Sequence, residues 1–258
     1  MTTPTRRPQL NKVPEVTVYF WIIKILATTV GETCADYLNM TLGWGLTNTT
    51  YVMAALLLAA LAIQFGVRRY VPWVYWLAVT TISVVGTLIT DNLTDHLGVP
   101  LQTTTTVFAV ALVAVFGVWF ACERTLSIHT IHTARREAFY WLAILVTFAL
   151  GTAAGDLIAE QFALGYRTSM LLFAAVIALI AVAHRVVGLD AVVAFWAAYV
   201  MTRPLGASIG DLLSAPRADG GVGLGATWTS VVFLAGIIGL VAYLTVTRKD
   251  VTPSAVAA

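Results

Sequence analysis

Four aspartates recur in one local pattern: Asp36, Asp91, Asp156 and Asp211 each stand five residues after a glycine (Gly31, Gly86, Gly151, Gly206) and fifteen after a tryptophan (Trp21, Trp76, Trp141, Trp196). On a helix, positions four apart stack on one face. Stepping by fours through each aspartate gives a stripe of polar side chains. The stripes are Thr28, Glu32 and Asp36; Ser83, Thr87, Asp91 and Asp95; Thr152, Asp156 and Glu160; and Arg203 and Asp211, with Ala207 between them. Carboxylate and hydroxyl oxygens suit hard cations such as Mg²⁺, Mn²⁺, Na⁺ or H⁺, and a stripe without His and nearly without Cys disfavours soft metals. Seven acids against the two bases Lys24 and Arg203 leave such a cavity negative. The same acidic residues are the candidate ligands of a transported metal ion, and no resident cofactor is expected.

The elements that carry these stripes are apolar. The chain has 258 residues, of which 59% are hydrophobic and 11% charged. That is beyond the apolar content of soluble domains, and the apolar runs approach the ~20 residues that cross a bilayer. The first run follows Arg6, Arg7 and Lys12 but is too long for a signal-peptide core and lacks a small-residue cleavage pattern, so it reads as a retained span. Aligning "FWIIKILATTVGETCADYL", "YWLAVTTISVVGTLITDNL", "YWLAILVTFALGTAAGDLI" and "FWAAYVMTRPLGASIGDLL" gives four gapless copies, with aspartates 55, 65 and 55 residues apart. A second, nearly featureless apolar run follows each copy, at 51–67, 107–121, 170–183 and 231–246. The expected fold is therefore all-α: eight transmembrane helices in a single transmembrane domain, as four tandem two-helix repeats at about 15–70, 71–126, 136–187 and 189–247. The odd spans are placed at 15–41, 73–97, 138–164 and 189–214. Thr47 to Thr50, Thr103 to Thr106, Thr168 with Ser169, and Thr227 are expected to cap the even helices.

Charge sets the expected orientation. Arg6, Arg7, Lys12, Arg68, Arg69, Arg124, Arg135, Arg136, Arg185, Arg248 and Lys249 fall on one side of this topology, against Arg167 and Arg217 on the other. By the positive-inside rule both termini face the cytoplasm, and the four repeats, each crossing twice, share a pseudo-symmetry axis along the membrane normal. An ionised carboxylate at bilayer depth costs at least ~2.5 kcal/mol, so the four aspartates must face one another or water. The odd helices therefore belong inside and the even ones outside, against lipid.

Plainer roles are available for several residues. The Phe/Tyr-Trp pairs serve as interfacial anchors or packing wedges and the repeated glycines as helix-packing sites. Asp95 and Glu160 fit headgroup-level or capping positions as well as a pathway. Lys24 and Arg203 read as neutralisers of nearby acids, and His129 with His132 as solvated loop residues. Glu32, one turn inward of Asp36, is the preferred coupling acid; its competing role is structural partner of Lys24 or Arg203.

The Trp-x9-Gly-x4-Asp signature resembles a family of uncharacterised bacterial integral membrane proteins, some called membrane-anchored, built from tandem copies of a repeat of unknown function. The resemblance spans residues 15–247. The fourth copy departs from it through Arg203 and Pro204 and through the lack of an acid four residues after Asp211. The family implies no activity, so the expectation comes from the residues: a transporter, less readily a channel, for a small hard cation, and not an enzyme. Alternatives are a membrane scaffold or assembly protein and, third, an intramembrane aspartyl-type hydrolase, since "AGD" and "IGD" are similar to the Gly-Asp of such proteases. The expected setting is the bacterial plasma (inner) membrane, with the lipid bilayer and a small cation as partners, homo-oligomerisation open, and no nucleic acid.

Overall fold

A computed structural model describes residues 11–251, with Glu160 described by its backbone alone. Arg6 and Arg7 lie outside the described residues. Eight long helices, and no strand, occur among the described residues: α1 Val18–Asp36, α2 Gly45–Gly66, α3 Pro72–Asp91, α4 Leu101–Glu123, α5 Ala134–Asp156, α6 Gly165–Val182, α7 Ala191–Ser214 and α8 Gly225–Thr247. All eight are long and apolar enough to cross a membrane. The protein is a multi-pass membrane protein.

In three repeats the α-helical stretch ends on the repeated aspartate and continues as one π-helical turn: Tyr37–Thr41, Asn92–His96 and Leu157–Gln161. Such turns widen the helix and free it from strict i to i−4 pairing. Helix α7 instead runs through Asp211 without a break.

The inner helices α1, α3, α5 and α7 form a closed ring, each touching the next and α7 returning to α1. Over the most apolar stretch of each helix, 56–72% of residues are buried in this ring and 6–28% in the even helices. The even helices therefore face lipid. Each rests on the inner helix of the following repeat: α2 on α3, α4 on α5, α6 on α7, and α8 back on α1. Within a repeat the two helices meet far less: α2, α4 and α6 mainly touch the π-helical end of their own inner helix, and α8 alone also touches α7.

The repeated glycines make the inner ring close. A Cβ on Gly31 would lie 1.9 Å from Ser83 Oγ, one on Gly86 2.5 Å from Phe148 Cβ, one on Gly151 2.3 Å from Arg203 Cγ, and one on Gly206 1.9 Å from Thr28 Oγ1. Each glycine thus receives the residue three positions before the glycine of the next repeat, all the way round. The aromatic pairs obey the same rule. Trp76 packs on Phe20, Trp141 on Tyr75, Trp196 on Tyr140 and Trp21 on Phe195, at 5.5–6.1 Å between ring centres for three of these pairs and 5.8 Å for the last. They are packing wedges, and they seal one end of the axis.

That end also carries both ends of the described chain: Glu15 N–H donates to Asp250 O at 3.0 Å. Beneath the seal, Lys12 pairs with the buried Glu137 at 2.7 Å, and Gln64 donates to the same carboxylate at 3.0 Å.

The expected hydroxyl caps of the even helices are not formed. The capping residues are Trp44, Pro100, Leu164 and Leu224, none with a side-chain bond. The helices begin earlier than the hydroxyl residues, which sit inside the first turns and donate back to carbonyls: Thr50 to Leu46 at 2.7 Å, Thr106 to Gln102 at 2.7 Å, and Ser169 to Gly165 at 2.9 Å. In an apolar setting a hydroxyl finds its nearest acceptor one turn back.

Candidate functional site

The axis of the inner ring is built in layers, each set by a fixed distance from the repeated glycines. Opposite the ends of the described chain, a cavity of about 380 Å³ is lined by Glu32, Asp36, Asp91, Asp95, Asp156 and Asp211. All four inner helices contribute. The repeated aspartates are half-buried in its wall, Asp95 is exposed near its mouth, and Glu32 is buried at its floor. Six of the seven acids expected to share a site do so; the side chain of Glu160, the seventh, lies outside what the structure describes. Among the described residues no three His, Cys, Asp or Glu groups approach closely enough to hold a metal ion. The carboxylates ring a vestibule and do not form a cage.

Below the vestibule, one guanidinium closes the axis. Arg203 Nη2 donates to Glu32 Oε2 at 2.8 Å, to Thr152 Oγ1 at 2.6 Å and to Thr87 Oγ1, while Nη1 donates to Thr28 O at 3.2 Å. Glu32, Thr87 and Thr152 hold the same register position in the first three repeats. In the fourth that position is Ala207, whose small side chain leaves room for the arginine. The stem crosses over Gly151, where any side chain would collide with it. Arg203 is wholly buried and Glu32 is 7% exposed, so the pair separates water in the vestibule from the closed axis. Of the two roles weighed for Glu32, partner of Arg203 is the one the geometry displays.

The reading of Lys24 as a neutraliser of nearby acids is overturned. It is fully buried, and its Nζ has neither a hydrogen-bond acceptor nor a carboxylate partner among the described residues. Nζ lies 4.0 Å from the centre of the Phe148 ring and 4.2 Å from that of Tyr199. Arg203 Cζ stands 5.7 Å from the same Phe148 ring. Phe148 is therefore an aromatic partition between the Lys24 amine and the Arg203 guanidinium, and the amine's nearest neighbours are ring faces rather than a counter-ion.

The supporting polar residues divide in the same way. Thr28, Thr87 and Thr152 meet Arg203, whereas Ser83 Oγ packs against Gly31 without a partner among the described residues. Phe148 and Tyr199 were not singled out in the sequence. The signal for Phe148 was its register: it occupies the position that Thr28, Ser83 and Arg203 hold in the other repeats.

A family model for a repeat of unknown function matches four times, at residues 19–70, 74–125, 139–188 and 194–250. The chain belongs to the Repeat of Unknown Function (DUF347) family. Each match takes in one inner and one outer helix, so a DUF347 repeat is the two-helix unit and four of them make the ring. No curated protein and no solved structure matches the chain. Among these four DUF347 repeats, the first supplies Glu32 and Lys24 and the fourth supplies Arg203, so the charged core is built across the seam where the ring closes.

Proposed function

We propose that this protein moves a small hard cation across the bacterial plasma membrane, taking it up into the acidic vestibule and passing it only when the Arg203–Glu32 floor parts. The supporting observation is that acids from all four repeats line one cavity that ends on a buried ion pair. Carboxylate oxygens around a water-accessible cavity concentrate cations through their summed field. A cation that reaches Glu32 meets a carboxylate already held by the tethered cation Arg203 and competes with it. Entry of the cargo and release of the arginine are then one event, which makes the protein a transporter rather than an open channel.

In this reading the vestibule faces outward. Lys12, Arg68, Arg69, Arg124, Arg135, Arg136, Arg185, Arg248 and Lys249 gather at the end where the described chain begins and ends, which the positive-inside rule assigns to the cytoplasm. The acids carry the site: Glu32, Asp36, Asp91, Asp95, Asp156 and Asp211 bind or guide the ion, and no catalysis is assigned to them.

The test is cation flux into proteoliposomes with Mg²⁺, Mn²⁺ and Na⁺ at two pH values. Proton-coupled transport makes flux follow the imposed pH gradient. Flux equal to that of empty vesicles for every cation sinks the proposal and favours a second reading, a membrane scaffold, which the buried Arg203 hub and the aromatic seal also fit. An Asp91→Asn variant separates the two, because it lowers flux in a transporter and leaves a packing role intact.

A further inference from the structure

A second cavity, of about 520 Å³, lies at the opposite end of the bundle from the vestibule, between outer helix α6 and inner helices α1 and α7. Its walls are apolar: Trp21 of α1, Ile177 and Ile180 of α6, and Phe195 and Ala198 of α7. Its rim is basic, formed by His129, His184 and Arg185, all exposed, and no acidic residue lines it. Outside the lining, Glu15 Oε2 stands 3.8 Å from His129 Nδ1. His184 and Arg185 stand on the π-helical turn Ala183–Val187 that ends α6, and His184 Nδ1 is engaged by Leu189 O at 2.7 Å. The remaining ring nitrogen, Nε2, donates when the ring is protonated.

This cavity breaks the four-fold pattern, and the sequence says why. The second and third repeated aspartates are ten residues further apart than the other neighbours, 65 against 55. The additional chain folds as the segment between α4 and α5, pinned by Trp196 Nε1 donating to Leu126 O at 2.9 Å. It supplies Leu126, Ser127 and Ile128 as one wall and His129 as part of the rim. An insertion has thus made a slot that the other seams, joined by shorter connections, do not have from the same material.

We infer that this slot binds one anionic glycerophospholipid, with an acyl chain between α1, α6 and α7 and its phosphate on the rim of Arg185, His184 and His129. Three features fix the class of ligand. The slot lies between the outer helix α6 and the inner helices α1 and α7, and no residue of α3, of α5 or of the vestibule lines it. It lies at the level where the helices leave the apolar layer, with Trp21 in its wall at a depth that indoles favour. Its rim is cationic, as basic pockets between transmembrane helices on the cytoplasmic side are when they take anionic headgroups. The inference is independent of the transport proposal, since none of its residues lines the vestibule or the Arg203 hub.

The experiment is native mass spectrometry of the full chain released from detergent, with equal amounts of phosphatidylglycerol and phosphatidylcholine added. One phosphatidylglycerol is expected to survive activation that strips the other lipids. Arg185→Gln, at an exposed position, should cut the preference for phosphatidylglycerol about five-fold, the effect of one basic residue at a membrane surface. Ala181→Trp, which fills the slot, should remove the retained lipid altogether while the protein stays monodisperse. Equal retention of the two lipids by the parent chain overturns the inference without any variant. So does an undiminished retained lipid in Ala181→Trp, or displacement of phosphatidylglycerol by an equimolar free fatty acid, which would make the occupant a tail and not a phospholipid.

Discussion

Replacing Glu32 by Gln keeps the shape of the side chain and an amide oxygen that can still accept from Arg203, but removes the charge, leaving the guanidinium buried among neutral acceptors, the Thr87 and Thr152 hydroxyls and the Thr28 carbonyl included. Removing one member of a buried ion pair typically costs about 3–5 kcal/mol, because the other is left uncompensated. Arg203 is wholly enclosed, whereas Glu32 touches the vestibule. Glu32→Gln should therefore lie at the upper end of that range, and Arg203→Met, which leaves a carboxylate that vestibule water can reach, at the lower end. The double variant Arg203→Met with Glu32→Gln leaves no buried charge and should recover most of the loss. The assay is thermal unfolding in detergent, read by size-exclusion recovery, for the four members of the cycle. Additive losses would refute the argument, since they would mean that the two side chains do not act on each other. For transport, Glu32→Gln should abolish pH-dependent flux in protein that still extracts as a single species, and unchanged flux would remove Glu32 from the coupling role.

Gly206→Ala puts a methyl 1.9 Å from Thr28 Oγ1 and 3.0 Å from Thr29 N, so helix α1 must shift; a loss of about 1–3 kcal/mol is expected. Gly239→Ala, with nothing within 4 Å, should be neutral or slightly stabilising, and equal melting temperatures for the two would contradict the close-packed ring. Asp91→Asn should weaken Mn²⁺ binding measured by calorimetry without altering the oligomeric profile; wild-type binding would exclude Asp91 from the ion path. At the terminal end, burial pushes the Asp250 carboxyl above the ordinary aspartate range, against the opposing hydrogen bond from Tyr70 Oη at 2.5 Å. The native state then holds this proton more tightly than the unfolded chain, so the stability attached to the group is greatest in acid and falls as pH rises through the native value. Asp250→Asn should accordingly be more stable than the parent at pH 7, with the difference vanishing below about pH 4, where aspartate is protonated in both states. A difference that does not change with pH would refute that linkage.

Much of the architecture was legible because its signals are local. Trp-x9-Gly-x4-Asp is a pattern within one helix, and the desolvation cost of a carboxylate is enough to send that helix inward wherever its neighbours lie. Eight spans, four repeats, an inner odd set and a shared acidic cavity follow from those two facts, and the structure has all of them. Boundaries were less secure at the even helices, where hydroxyl residues that read as caps, such as Thr50 and Ser169, prefer an acceptor one turn back.

Periodicity assigns a face to a helix but does not name the helix that meets it. Only the tertiary structure decided that each outer helix leaves its own repeat for the next, and that each glycine takes a residue from its neighbour around the ring. The same step decided the charges. Lys24 and Arg203 have the same sign and similar depth in the sequence, yet Arg203 reaches across Gly151 to Glu32 while Lys24 is screened from it by the Phe148 ring. The outcome depends on distances of a few ångströms between residues up to 175 positions apart, and helical spacing carries no information about such contacts.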